Sequence, residues 1–164
     1  MKKVLSSGLI LLLMLSACSR SDRESNPFFS EWQTPLGAPP FDRIKSEHFL
    51  PAFREAMWRH KAEIRAIIVN PDVPTFANTI EALDYSGELL EKVTNIFYSL
   101  NSANTSDSMQ ALARDIAPIL SSHYDDISLN DTLFQRIKTV YLQKDQLQLT
   151  TEPATLLELS LIHI

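Results

Sequence analysis

The 164-residue chain is long enough for one domain. Its 15 Lys and Arg against 20 Asp and Glu give an acidic balance, which argues against the basic face of a nucleic-acid binder. Only three Gly, with abundant Leu, Ala, Glu and Gln, favour helices over a Gly-rich β architecture, and a single Cys excludes an internal disulfide.

The N-terminus is patterned. Met1, Lys2 and Lys3 form a positive start, and Val4 to Leu15 form an apolar run too short for a usual transmembrane helix. Leu15-Ser16-Ala17-Cys18 then resembles the lipobox of bacterial lipoproteins. That resemblance implies a signal peptide over 1–17, cleavage before Cys18, and acylation of Cys18, which several acyl chains would anchor stably. Residues 18–25 are the lipidated Cys and the polar stretch "SRSDRES", a flexible tether. Ser19 after the Cys leans toward outer-membrane sorting. The expectation is a lipid-anchored, periplasm-facing protein on the outer membrane of a Gram-negative bacterium. Cleavage removes Lys2 and Lys3 and leaves 13 basic against 20 acidic residues, a net charge of −7. Such a domain does not hold an anionic surface through its own charge.

Residues 26–51, "NPFFSEWQTPLGAPPFDRIKSEHFLP", hold five of the nine prolines and no clean period. They read as an extended segment laying Phe28, Phe29, Trp32 and Phe41 onto helices elsewhere. From Pro51, suited to a first helical turn, Phe53, Met57, His60, Ile64 and Ile67 recur at helical spacing. "NPDVP" at 70–74 stops this helix. Thr75 caps a second, whose stripe is Phe76, Ile80, Leu83, Gly87, Leu90, Phe97 and Leu100, widened by Val93 and Ile96. Gly87 inside it costs about 1 kcal/mol against Ala and suggests that another helix crosses close there. Ser106 caps a third helix carrying Met109, Leu112, Ile116, Ile119, His123 and Ile127, which Pro118 should kink. Asn130 or Asp131 caps a fourth with Leu133, Phe134, Ile137, Val140 and Tyr141. "QKDQLQLT" is a loop, and Thr151 opens a fifth helix. The predicted class is all-α, with long antiparallel helices.

Chemistry is sparse. A zinc peptidase site needs two His one helical turn apart, a Glu beside the first and a further ligand. None of His48, His60, His123 and His163 has a His four residues away, and no metal site can be built from them. His123-Tyr124-Asp125-Asp126 is the densest ionisable group and reads as a helix end with a wet acidic face. His60, on an apolar stripe, reads as a satisfied core histidine. Neither a nucleophile elbow nor a Gly-rich phosphate loop is present. The aromatic residues of the extended segment read as core packing rather than a binding platform.

Four stretches carry a resemblance: "NPFFSEWQTPLGAPPFDRIKSEHFLPAF", "PTFANTIEALDYSGELL", "NSANTSD" and "ISLNDTLFQRIKTVY". Together they resemble the N-terminal region of the thimet-oligopeptidase-like zinc metallopeptidases, nearest to the bacterial peptidyl-dipeptidases. Ser46 stands where that family more often has Pro, and Ala77 where it often has Glu. Both look like surface changes at helix starts.

The resemblance implies an all-α fold of two halves around a deep channel. It also implies zinc in the full-length protein, held by an HExxH helix and a later Glu, with water as nucleophile. Short oligopeptides would be the substrates, and dipeptides would leave from their C-termini. The catalytic half is missing from this chain, so no catalytic or metal-binding residue carries over and no zinc is expected on it.

On this reading residues 26–158 are the N-terminal helical region of the peptidase. The closing "LSLIHI", 159–164, back-translates to CTG TCT CTT ATA CAC ATC, which resembles the end of a transposase adapter used in DNA library preparation. The expectation is an adapter-derived tail on a truncated chain. The competing reading is a self-contained, lipid-anchored helical lipoprotein that binds peptide or protein without catalysis.

Overall fold

The computed structural model describes residues 25–162 and Ile164. Cys18, the signal peptide expected over 1–17 and His163 lie outside the described residues. Among those described there are helices and turns and no strand, as the composition indicates. They fall into two compact units, within 1–52 and within 53–164.

In the first unit the Pro-rich stretch is organised by short turns. Asn26 Oδ1 accepts the Phe28 N–H at 3.1 Å and so caps the turn Pro27–Phe29. Its Nδ2 donates to the His48 carbonyl at 2.9 Å, a satisfied arrangement for a buried amide. Phe28 is buried against Phe49, with ring centroids 5.3 Å apart, and the Trp32 indole donates to the Pro27 carbonyl at 2.8 Å. Phe41 departs from expectation: it is 53% exposed, because Pro39 and Pro40 turn the chain just before it.

Helix α1, Ser46–Ile68, begins in the first unit and ends in the second. It starts five residues earlier than Pro51 suggested. The reason is a cap the sequence hides. His48 Nδ1 accepts the Lys45 N–H at 3.1 Å, doing the work that Glu does in a capping box. Pro51 therefore lies in the second turn. Ser46 and Ala77, the two departures from the resembled family, are both exposed.

In the second unit Thr75 caps as expected, through a full box with Asn78 at 2.8 and 3.1 Å. It opens a π-helical turn, Phe76–Glu81, that runs into one α turn, Ala82–Asp84. The helix expected to continue through Gly87 breaks there instead. Gly87 sits at φ 79°, in the left-handed region, and is the N-cap of α2, Glu88–Ala103. Helix α3 spans Asp107–Ser128 and α4 spans Asp131–Tyr141, capped by Ser106 and Asn130 respectively. α3 runs unbroken across Pro118. Ile119, placed on its apolar stripe by sequence, is 45% exposed, and Leu120 is buried in its stead. After a single turn at Lys144–Gln146, α5 runs Thr151–Ile162, with no break at 158.

The core gathers Ile64 and Ile67 of α1, Ile80, Ile127 of α3, Leu133, Ile137 and Val140 of α4, and Leu157 of α5. Each fully buried aliphatic side chain here stabilises by about 1.5–3 kcal/mol. Arg136 is buried with them. Its Nη1 donates to the Asn70 carbonyl at 2.8 Å and its Nη2 reaches the Asp72 carbonyl at 3.4 Å. It thus ties the turn after α1 to α4.

Candidate functional site

The densest polar constellation lies where α1, α3 and the break at Gly87 converge. His60 belongs to the apolar stripe of α1 and His123 to that of α3, so the core-forming periodicity of each helix turns its imidazole inward. The two rings are 8% and 3% exposed. His123 Nε2 lies 3.0 Å from His60 Nδ1, and the ring centroids are 5.0 Å apart. His60 Nε2 lies 3.3 Å from Ser86 Oγ, which donates to the Leu83 carbonyl at 2.6 Å. Gly87 seats directly on the His60 ring: a Cβ there would stand 3.0 Å from two of its atoms. The close crossing suggested at Gly87 is therefore present, and the crossing group is His60. Glu63 completes the arrangement by accepting the Gly87 N–H at 2.7 Å.

These hydrogen bonds fix the protons. Ser86 spends its hydrogen on Leu83, so its oxygen accepts from His60 Nε2–H. His60 Nδ1 is then a bare acceptor and must receive His123 Nε2–H. His123 Nδ1 is left as a buried nitrogen with no partner. Burial disfavours charge on both rings. It lowers the pKa of His60, against a smaller opposing pull from Glu63. Burial, then His60, then Lys61 lower that of His123 to about 4, with Asp126 opposing.

The group predicted around His123 is thus divided. Tyr124, Asp125 and Asp126 are exposed, as a wet helix face should be, whereas His123 turns into the core. Asp126 pairs with Lys61 at 2.7 Å, and that contact holds its carboxyl below the usual range. His60 is the satisfied core histidine its stripe implied. Its partner is His123, 63 residues away, and nothing in the sequence pairs the two. Beside the pair, Met57, Trp58, Lys61, Pro118, Ile119, Ser122 and His123 line an open, mainly apolar groove of about 550 Å³.

The residues present do not fit a catalytic zinc. Among the described residues no three His, Cys, Asp or Glu side chains gather as a metal would require. The two buried imidazole nitrogens share a proton with each other rather than facing a common cation. No described helix is long and apolar enough to cross a membrane.

Fold and site together define an all-helical chain with a hydrogen-bonded imidazole pair buried between two of its helices. Comparison with known proteins gives that chain its relatives. It is 42% identical over 133 residues to dipeptidyl carboxypeptidase of Escherichia coli strain K12, covering 81% of this chain and 20% of that protein. Identity to the dipeptidyl carboxypeptidase of Salmonella typhimurium strain LT2 is 39% over 134 residues, covering 82% and 20%. Oligopeptidase A of the same Salmonella strain is more distant, at 23% over 101 residues, covering 62% of this chain and 15% of that protein. No family profile matches the chain. The chain is thus homologous to the dipeptidyl carboxypeptidases along most of its own length, as the sequence resemblance indicated, and it spans about a fifth of theirs.

Proposed function

We propose that this chain is the N-terminal segment of a longer zinc metallopeptidase that releases dipeptides from the C-termini of short oligopeptides. The carrying observation is the 42% identity over 81% of this chain but only 20% of its relative. On this reading the segment performs no bond cleavage itself. Zinc, the HExxH helix and the later Glu belong to chain beyond it. The helices described above supply scaffold and channel wall. Trp58 and Ile119, 67% and 45% exposed beside Met57 and Pro118, are then apolar surface of the kind that further chain would cover. We also read Cys18 as the lipid attachment point and the protein as periplasm-facing on the outer membrane. The lipobox-like Leu15-Ser16-Ala17-Cys18 and the polar tether behind it support that placement.

The test is to sequence the source DNA beyond the codon for Glu158, from an amplicon free of library adapters. The expected result is an open frame that replaces the "LSLIHI" codons and reaches an HExxH run. A genomic stop codon directly after Ile164 would overturn the peptidase reading and leave a non-catalytic helical lipoprotein.

A further inference from the structure

We propose that the His60–His123 contact is an acid-release latch, which holds α1 against α3 and the Gly87 break at neutral pH and loosens them when the imidazoles are protonated. This goes beyond the peptidase reading and does not rest on it. The geometry sets the proton inventory. The chain Leu83 carbonyl, Ser86 hydroxyl, His60, His123 holds one proton per link. The lone pair left over is His123 Nδ1, which is buried and without a partner. A first added proton must enter there, creating a buried cation with no acceptor. A second must enter at His60 Nδ1, between two nitrogens 3.0 Å apart, and that removes the hydrogen bond itself.

The surrounding charges do not rescue the cation. On α1, Glu63 faces His60 but accepts the Gly87 N–H, and Lys61 repels charge on His123. On α3, Asp126 is bound to Lys61, and Tyr124 lies 6.5 Å from the His60 ring centroid. The Tyr124 phenol, partly shielded from water although 44% exposed, is pushed up by that shielding and by Glu91 and Tyr98 of α2, and so stays neutral. A Cβ built on Gly87 would stand 3.0 Å from His60 Cε1 and Nδ1, so the glycine backbone packs against one face of that ring.

The direction with pH follows. Both folded imidazoles titrate below the ordinary 6.5, so between pH 6.5 and about 4 the unfolded chain binds more protons than the folded one. The contribution to stability is full above pH 6.5 and is lost as pH falls from there toward 4. For each ring that stays neutral, the folded-to-unfolded ratio should drop about tenfold between pH 7.5 and 5.5.

The test uses the full chain, labelled with nitrogen-15. Imidazole spectra at pH 7.5 should show both rings protonated at Nε2 alone, and His123 should remain neutral in the folded chain at pH 5.5. In parallel, urea unfolding at pH 7.5 and 5.5 is compared with the double variant His60→Gln/His123→Gln. The wild type should lose between tenfold and a hundredfold more of its folding equilibrium than the variant. His123 cationic in the folded chain by pH 6, or equal losses in wild type and variant, would overturn the latch. If the variant does not fold, the wild-type imidazole titration decides alone.

Discussion

Gly87→Ala puts the packing at the His60 ring under a direct test. Two costs combine at this position. The backbone stands at φ 79°, where a Cβ costs about 1–2 kcal/mol. The new Cβ would also meet His60 Cε1 and Nδ1 at 3.0 Å and Nε2 at 3.1 Å. The ring must move, and its bonds to Ser86 and His123 weaken together, each worth about 1 kcal/mol. The sum is about 3 kcal/mol. With a urea slope near 2 kcal/mol per molar, the unfolding midpoint should fall by about 1.5 M. Gly37→Ala supplies the comparison. Its φ is 66°, but nothing lies within 4 Å of the added Cβ, so only the backbone cost of about 1–2 kcal/mol applies. Equal midpoint shifts for the two variants would refute the claim that His60 occupies the space above Gly87.

Four further substitutions probe the frame around the latch. Thr75→Ala removes one half of the capping box and should cost about 1 kcal/mol, with faster amide exchange at Asn78; unchanged exchange there would deny the cap its role. Arg136→Met keeps the buried stem but leaves the Asn70 carbonyl without its 2.8 Å donor, and should cost about 2–3 kcal/mol by chemical denaturation. Leu120→Ala should cost about 2–5 kcal/mol, while Ile119→Ala stays near 0.5 kcal/mol; the reverse order would show that the apolar face of α3 is misassigned.

Much of the helical frame is legible in the sequence because its signals are local. Thr75, Ser106 and Asn130 each stand one residue before a helix, and each accepts the N–H three residues on. The start of α1 is not legible in the sequence because its return cap is His48, a residue type that composition does not mark as a capper. Ile119 and Leu120 both satisfy helical spacing from Ile116, so periodicity alone cannot choose between them. The buried face of α3 takes the later of the two, and the 116, 120, 123, 127 register then carries His123 inward with it. Gly87 shows the same ambiguity from another side. A glycine within an apolar stripe fits a close helix crossing and fits a left-handed break equally well, and here one residue serves both purposes.

The latch lies beyond sequence reading for a different reason. His60 and His123 each look like one polar residue on an apolar face, and each alone would be an unpaired group whose burial costs free energy. Only the packing of α1 on α3 makes them partners, across 63 residues. That pairing is also what makes the site one-sided in its chemistry. Two neutral imidazoles satisfy each other through a single proton, whereas a zinc centre would need both nitrogens bare, aimed at one point and joined by a third ligand. Because His60 Nδ1 already accepts from His123 and no third donor group gathers there among the described residues, the pair is built to hold helices together.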